Sequence, residues 1–281
     1  MSEAKGLEYW VALLTHADLP VLKQTARDLA ALREDDKRLN ANSVAAIISR
    51  DPLMTVKLLR YLQQHKRKTQ TTEVVQVEQA LLMLGIEPLF NKVPPKPLVE
   101  EIVKTHLAAL PHLLRVVHRS HRASEYAKDW AVYLRNLHFE EVRVAALLRD
   151  IADILMWCYA PQQMLEIRAI QLKDKTLRSR SVQEQVLGFA LVDLQRELAL
   201  QWGLPELLLH LMNSSLADQP RVRNVVLAVN LARHSANGWD DAALPDDYQG
   251  IAELLRMPVE DVITMIATDA GIACDITKPH E

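Results

Sequence analysis

Residues 142–157, VRVAALLRDIADILMW, constrain the chain more than any other stretch. Twelve of these sixteen residues are apolar, which leaves no polar face as wide as a surface helix presents. Apart from Arg143 near its start, the polar residues inside the stretch, Arg149, Asp150 and Asp153, lie one, three and four positions apart, so they share one narrow stripe of a helix. A helix apolar nearly all round belongs in the middle of a domain, and its charges must find partners because unpaired buried charge is costly. The pattern predicts one continuous, buried central helix. Arg149 and Asp153, at i and i+4, are placed to pair along its stripe, so the three residues read as a structural ion-pair network.

The rest of the chain reads as helical around that element. With 281 residues there is room for one large domain or two ordinary ones. Only seven glycines occur, strand-type alternation is almost absent, and an apolar content of 49% excludes disorder, so an all-α fold is predicted. A net charge of −3 gives no field favouring nucleic acid or an anionic membrane. The start lacks a signal-peptide pattern and no apolar run approaches a membrane span, which makes a cytoplasmic protein the expectation. Cys158 and Cys274 match no metal or redox motif.

In the first half, helices are predicted over 7–15 and 21–33, divided by the turn Asp18-Leu19-Pro20. Asn42 or Ser43 can cap a helix over 44–49, and Asp51-Pro52 sets an N-cap and first helical position for the next. The polar stretch with His65-Lys66-Arg67-Lys68 reads as a solvated loop, since no aromatic residue interleaves the charges. A helix over 77–84 is closed by Gly85 as a left-handed cap. Three prolines in residues 94–97 cannot continue a helix, so the junction between two packed subdomains is placed there, one over 1–93 and the other over 98–281.

In the second half, helices are predicted over 98–107, 111–131, 138–157 and 161–172. Ser181 and Glu184 form a capping box for a helix over 182–202, followed by helices over 206–216, 222–236, 248–256 and from Pro258 to Gly271. Trp130, Trp157 and Trp202 sit on apolar helices and read as core. A helix-turn-helix over 182–214 would have a second helix without Arg or Lys, which argues against DNA binding through it. There is no glycine-rich phosphate loop, no G-x-S-x-G and no HExxH.

Three fragments in order resemble the first half of the HDOD family, bacterial signalling modules of α-helical fold related to HD-domain phosphohydrolases. They are Leu19-Pro20, then Ile47-Ile48, Asp51-Pro52-Leu53 and Leu58-Leu59, then Ala80-Leu81-Leu82-Met83-Leu84-Gly85. Gln63-Gln64-His65 stands where the family usually has an Asn-Ser pair. In the second half, Leu147-Leu148-Arg149-Asp150-Ile151-Ala152 resembles the family's LLHDIG, with Arg149 in the histidine position. Gly188-Phe189-Ala190-Leu191 resembles its G..H segment, with Ala190 or Leu191 in place of the histidine. Trp202-Gly203-Leu204-Pro205 is intact, and Met212-Asn213-Ser214 replaces an expected His-His pair.

The resemblance implies an HD-like second subdomain without its metal ligands. Hydrolysis at an HD site needs a divalent metal to acidify bound water, and three or four protein ligands to hold it. Arginine cannot ligate, and its fixed charge repels a cation from Asp150. No enzyme activity, metal or cofactor is therefore expected. His118 and His121 have the spacing of a metal half-site, with ordinary hydrogen-bonded histidines as the simpler alternative. Arg221, Arg223, Asn224, Arg233 and His234 surround one helix, and an acidic turn with Trp239 follows. Arg233 and His234 suit a helix C-terminus. Alternatively, with Arg149, they line a pocket for an anion.

The expected function is a non-enzymatic signalling or regulatory module, acting on an unidentified signalling protein or a small anionic ligand rather than nucleic acid or membrane. Its candidate ligand-binding residues are Arg149, Asp150, Asp153, His118, His121, Arg233 and His234. The alternative is a metal-dependent phosphohydrolase of nucleotides or cyclic dinucleotides.

Overall fold

The structure, a computed structural model, describes residues 5–66, 73–174, 176–236 and 238–269. Arg67-Lys68 of the basic run, Asn237, Cys274 and the expected helix end at Gly271 lie outside the described residues. Among the described residues the regular elements are helices, as predicted, beside one isolated parallel bridge between Val21 and Leu98. None of these helices is long and apolar enough to cross a membrane.

The helices begin with α1 (Leu7–His16), α2 (Lys23–Arg33), α3 (Ala41–Ile48), α4 (Pro52–Gln64), α5 (Val77–Leu84), α6 (Ile86–Lys92) and α7 (Val99–Ile102). The middle holds α8 (Leu110–Tyr133), α9 (Phe139–Leu148), α10 (Ile151–Tyr159), α11 (Pro161–Lys173) and α12 (Ser179–Leu187). The chain continues through α13 (Leu191–Gln201), α14 (Glu206–Leu211), α15 (Pro220–Ser235), α16 (Leu244–Leu255) and α17 (Val259–Asp269). They gather into two compact units, each made of two separate segments. The first holds Met1–Val117 and Asp150–Leu209, the second His118–Arg149 and His210–Glu281.

In the first unit, α4 is the organising helix. Asp51 caps it: one carboxylate oxygen accepts from the N–H of Leu53 (2.9 Å) and of Met54 (3.1 Å). The other oxygen accepts from Leu22 N–H at 3.0 Å, so the same side chain starts α4 and pins the entry to α2. Pro52 follows at the first helical position, where its missing N–H costs nothing. Every residue from Pro52 to Leu59 is buried. Lys57 is among them, and its ammonium donates to Asp18 Oδ1 (2.7 Å), to the Leu19 carbonyl (2.9 Å) and to the Lys96 carbonyl. Arg60, one turn on, donates to the Ala17 carbonyl at 2.9 Å. Leu29, Ile48, Met54, Leu58, Leu81 and Leu89 fill the core around these ties.

Those bonds locate the proline-rich stretch expected to mark a subdomain junction. Val21 N–H donates to the Pro97 carbonyl (2.9 Å) and Val99 N–H to the Val21 carbonyl (2.9 Å), which fastens residues 96–99 inside the first unit. Several predicted boundaries shift for local reasons. Asn40, rather than Asn42 or Ser43, caps α3, its side chain accepting from Ser43 N–H at 2.9 Å. Gly85 has φ 87° and ψ 153°, an extended mirror conformation instead of the expected left-handed cap, and α6 starts directly behind it. The predicted helix over 182–202 is two helices, because Gly188 adopts φ 82° and ψ 3° and closes α12. The helix expected over 98–107 is the short α7 followed by a 3-10 turn at Leu107–Ala109.

In the second unit, α15 packs against α9 and α16, and α16 against α17. Trp130 and Tyr126 of α8 are buried, as are Val222, Val225, Ala228 and Leu231 along α15. Asn224 is buried among them and donates to the Ala127 carbonyl at 3.1 Å, which ties α15 to α8. The predicted helix from Tyr248 starts earlier, at Leu244 with Pro245 behind it, so Asp246 and Asp247 fall inside its first turn.

Candidate functional site

The stretch predicted as one central helix is broken. Arg149 ends α9, and its N–H reaches the Ala146 carbonyl at 3.4 Å, three residues back. Asp150 then leaves helical geometry (φ −106°, ψ 22°) and α10 begins at Ile151. Arg149 and Asp153 thus belong to different helices, and the i,i+4 register that was to pair them along one helix does not exist. Arg149, Asp150 and Asp153 are half-buried rather than buried, and none of the three lacks interaction partners.

The break leaves N–H groups at the start of α10 without intrahelical acceptors, and the Asp150 side chain does not cap them. One is supplied from α13, where buried Gln195 accepts from Ala152 N–H at 3.0 Å. The turn at Arg149-Asp150 is therefore held by a residue more than forty positions away. The second signature segment is built in the same way. Gly188 turns the chain, Phe189 and Ala190 are buried, and Ala190 stands at the N-cap of α13 with no side-chain oxygen to offer. Gln183 takes over, accepting from Leu191 N–H at 2.9 Å. Where the resemblance places a histidine, at Ala190 or Leu191, apolar side chains are buried in the core. Met212, in place of one of the expected pair, is buried as well.

Those residues do not fit a divalent metal. Among the described residues no three His, Cys, Asp or Glu side chains are gathered as metal ligands would be. Arg149, Ala190 or Leu191, and residues of Met212-Asn213-Ser214 stand at positions that would need imidazole.

The second unit holds a polar cluster that the sequence only half revealed. His234, in the last turn of α15, meets Asp247 of α16 with Nδ1 and Oδ2 2.6 Å apart. Burial pushes the Asp247 carboxyl up, and the His234 hydrogen bond and Arg233 pull part of the way back. Beside it, burial and the Asp247 charge push the Tyr248 hydroxyl up to about 12, and that hydroxyl is buried without a partner among the described residues. Arg122 of α8 lies over the Tyr126 ring at 5.5 Å and the Trp239 ring at 5.9 Å, donating to the Tyr126 hydroxyl at 2.6 Å. Arg233 donates to Asn230 Oδ1 at 2.7 Å.

The seven expected residues are thus divided. His118, His121, Arg149, Arg233 and His234 lie in the second unit, whereas Asp150 and Asp153 lie in the first. His118 is exposed and His121 half-buried on α8. Asp247, Arg122, Tyr126 and Tyr248 escaped the sequence reading. The one available signal was the acidic turn after α15, which placed Asp247 near the His234 end of that helix.

A sequence model of the HDOD domain matches residues 19–217. No curated protein matches the chain. Among solved structures, the MmoQ response regulator from Methylococcus capsulatus str. Bath is similar over 90% of this chain and 99% of its own, with 18% identity and a TM-score of 0.66. A virulence factor from Campylobacter jejuni subsp. jejuni is similar over 98% of this chain and 95% of its own, also with 18% identity and a TM-score of 0.66. At that identity the likeness is one of fold.

Proposed function

The chain belongs to the HDOD domain family, and from that premise we propose that it is a non-catalytic signalling module, working through a partner protein or a small anionic ligand. One observation carries the reading: Ala190 and Leu191, the two residues where the resemblance places a histidine, are both buried at a helix start, and the Leu191 N–H is satisfied by Gln183. A position built into the core in this way has neither a ligating atom nor room for an imidazole. Arg149 at the other signature position supports the same reading, since its guanidinium repels a divalent cation. The proposal sets the protein in the cytoplasm, in keeping with the buried free thiol of Cys158.

The test is elemental analysis of protein purified from cells grown with added manganese and iron, joined to a hydrolysis assay with bis-p-nitrophenyl phosphate and Mn2+. The expected result is far less than one metal per chain, no turnover above buffer, and a melting temperature indifferent to EDTA. Stoichiometric metal together with turnover would overturn the reading in favour of a phosphohydrolase.

A further inference from the structure

The first unit contains a cluster of positive groups that lacks its counter-charge. His112 and Arg115 lie three residues apart near the start of α8 and so share a face of that helix. Leu113 and Val116, beside them, are buried and fix the helix against the core. Arg168 projects from α11 next to the buried Ile167. Trp157 of α10, itself buried, closes one side, with its ring 5.2 Å from the His112 ring and tilted by 31°.

Each polar group here is unsatisfied. His112 is half-buried, and its Nδ1 is fully buried with no hydrogen-bond partner among the described residues. Arg168 is half-buried and Arg115 exposed, and neither guanidinium makes a hydrogen bond or ion pair among the described residues. Besides its own burial, the fields that lower the pKa of His112 are those of Arg168 and Arg115, both positive. Arg168 is lowered in turn by burial and by Arg115. Structural arginines are ordinarily held by carboxylates or carbonyls, as Arg143 is by Glu125 and Glu140 elsewhere in the chain. Three groups of like sign thus act on one another beside the Trp157 ring, and none is hydrogen-bonded or ion-paired to an acid among the described residues, an arrangement suited to an anion that the protein does not supply.

We infer that His112, Arg115 and Arg168, walled by Trp157, form a binding site for a phosphate group carried by a small molecule. Two guanidinium forks match the tetrahedral oxygens of a phosphate in bidentate fashion, better than they match a halide or a single carboxylate. The imidazole supplies a further N–H donor at Nε2, since Nδ1 is sealed from solvent, and the anion restores the field that favours its protonated form. This deepens the regulatory reading above and rests on it, by assigning the anionic ligand a chemistry and a place.

The experiment is calorimetric titration of the full chain, at low ionic strength and pH 7, with inorganic phosphate, pyrophosphate and a nucleoside monophosphate. Wild type is compared with Arg168→Gln, with Arg115→Gln, and with Arg180→Gln as a control. Arg180 is exposed on α12 and bonded to Glu184 and Asp193, so it removes the same charge elsewhere. Loss of one bidentate contact is expected to weaken binding by about tenfold or more in each of the first two variants. The control should bind as wild type does. Similar affinity for phosphate and for the nucleotide would mean that the phosphate group alone is read; tighter nucleotide binding would make a nucleotide the source.

A second readout is independent of affinity. Phosphate should raise the melting temperature of wild type and of Arg180→Gln, while the ligand-free Arg168→Gln protein should melt no lower than wild type, because an unpaired cation has been removed. No binding of any of the three anions at millimolar concentration, or equal binding in all variants, would overturn the site. Either result would leave metal content and turnover, the tests of the regulatory reading, untouched.

Discussion

The N–H of Ala152 in α10 donates to Gln195 Oε1 in α13 across 3.0 Å, and both residues are buried. The bond joins the exact turn at which α9 gives way to α10 to a helix far along the sequence. Gln195→Leu keeps the volume but removes the acceptor, leaving an orphaned N–H in the core. Urea unfolding should show a loss of about 1–3 kcal/mol with the helical circular dichroism unchanged. A variant as stable as wild type would mean that the turn does not depend on this acceptor.

Lys57 and Asp18 form an ion pair of unequal members. Lys57 is buried and Asp18 lies two-thirds exposed, with 7% and 67% of their side chains accessible. Asp18→Ala should therefore cost less than about 1 kcal/mol, as exposed partners do. Lys57→Met strands the Leu19 and Lys96 carbonyls and should cost about 1–3 kcal/mol. Equal losses in the two variants, measured by denaturant midpoint, would show that the charge pair rather than the carbonyl clamp matters.

Gly188 supplies a backbone conformation that side chains resist. A Cβ there would touch nothing within 4 Å, so any cost of Gly188→Ala comes from φ 82° alone. About 1–2 kcal/mol is expected in thermal or chemical unfolding, and Gly188→Asn should lose less because asparagine tolerates this region. A neutral alanine variant would show that α12 and α13 can merge without penalty.

Asp247 gives the second unit a pH dependence of definite sign. Its folded pKa is raised by burial, so the native state holds the proton to higher pH than the unfolded chain does. The stability it contributes is present below the ordinary aspartate value of about 3.9 and is lost as pH rises through the raised value. As pH rises from that ordinary value through the raised one, wild type should therefore lose stability relative to Asp247→Asn, whose side chain does not titrate. Parallel pH profiles for the two proteins would contradict the assignment.

What the sequence made legible were features closed within a few residues. The Asp51-Pro52 helix start, the buried tryptophans and the all-helical class all depend on local pattern, and the family fragments at 19–20, 47–59 and 80–85 are local too. The break at Arg149-Asp150 was illegible because the apolar pattern runs through it without glycine or proline, and the bond that stabilises it comes from Gln195. Of the candidate site, His234 was marked by its place at a helix end, but its partner Asp247 lies just outside the helix predicted over 248–256, where no pattern connects the two. His112 and Arg168 stand on helices that no spacing rule connects. In each case the decisive neighbour lies on another element, where periodicity carries no information.

Each compact unit is stitched from two stretches of chain, with the turn at Arg149-Asp150 among the crossing points. No single cut can release one unit whole without dividing the other. A polypeptide stopped near residue 217, where the family match ends, would keep α9 but lack the α15 on which it packs. Recombination therefore has no clean seam inside this protein. Its two halves are inherited together or not at all, and a lesion in the last sixty residues is felt by helices made half a chain earlier.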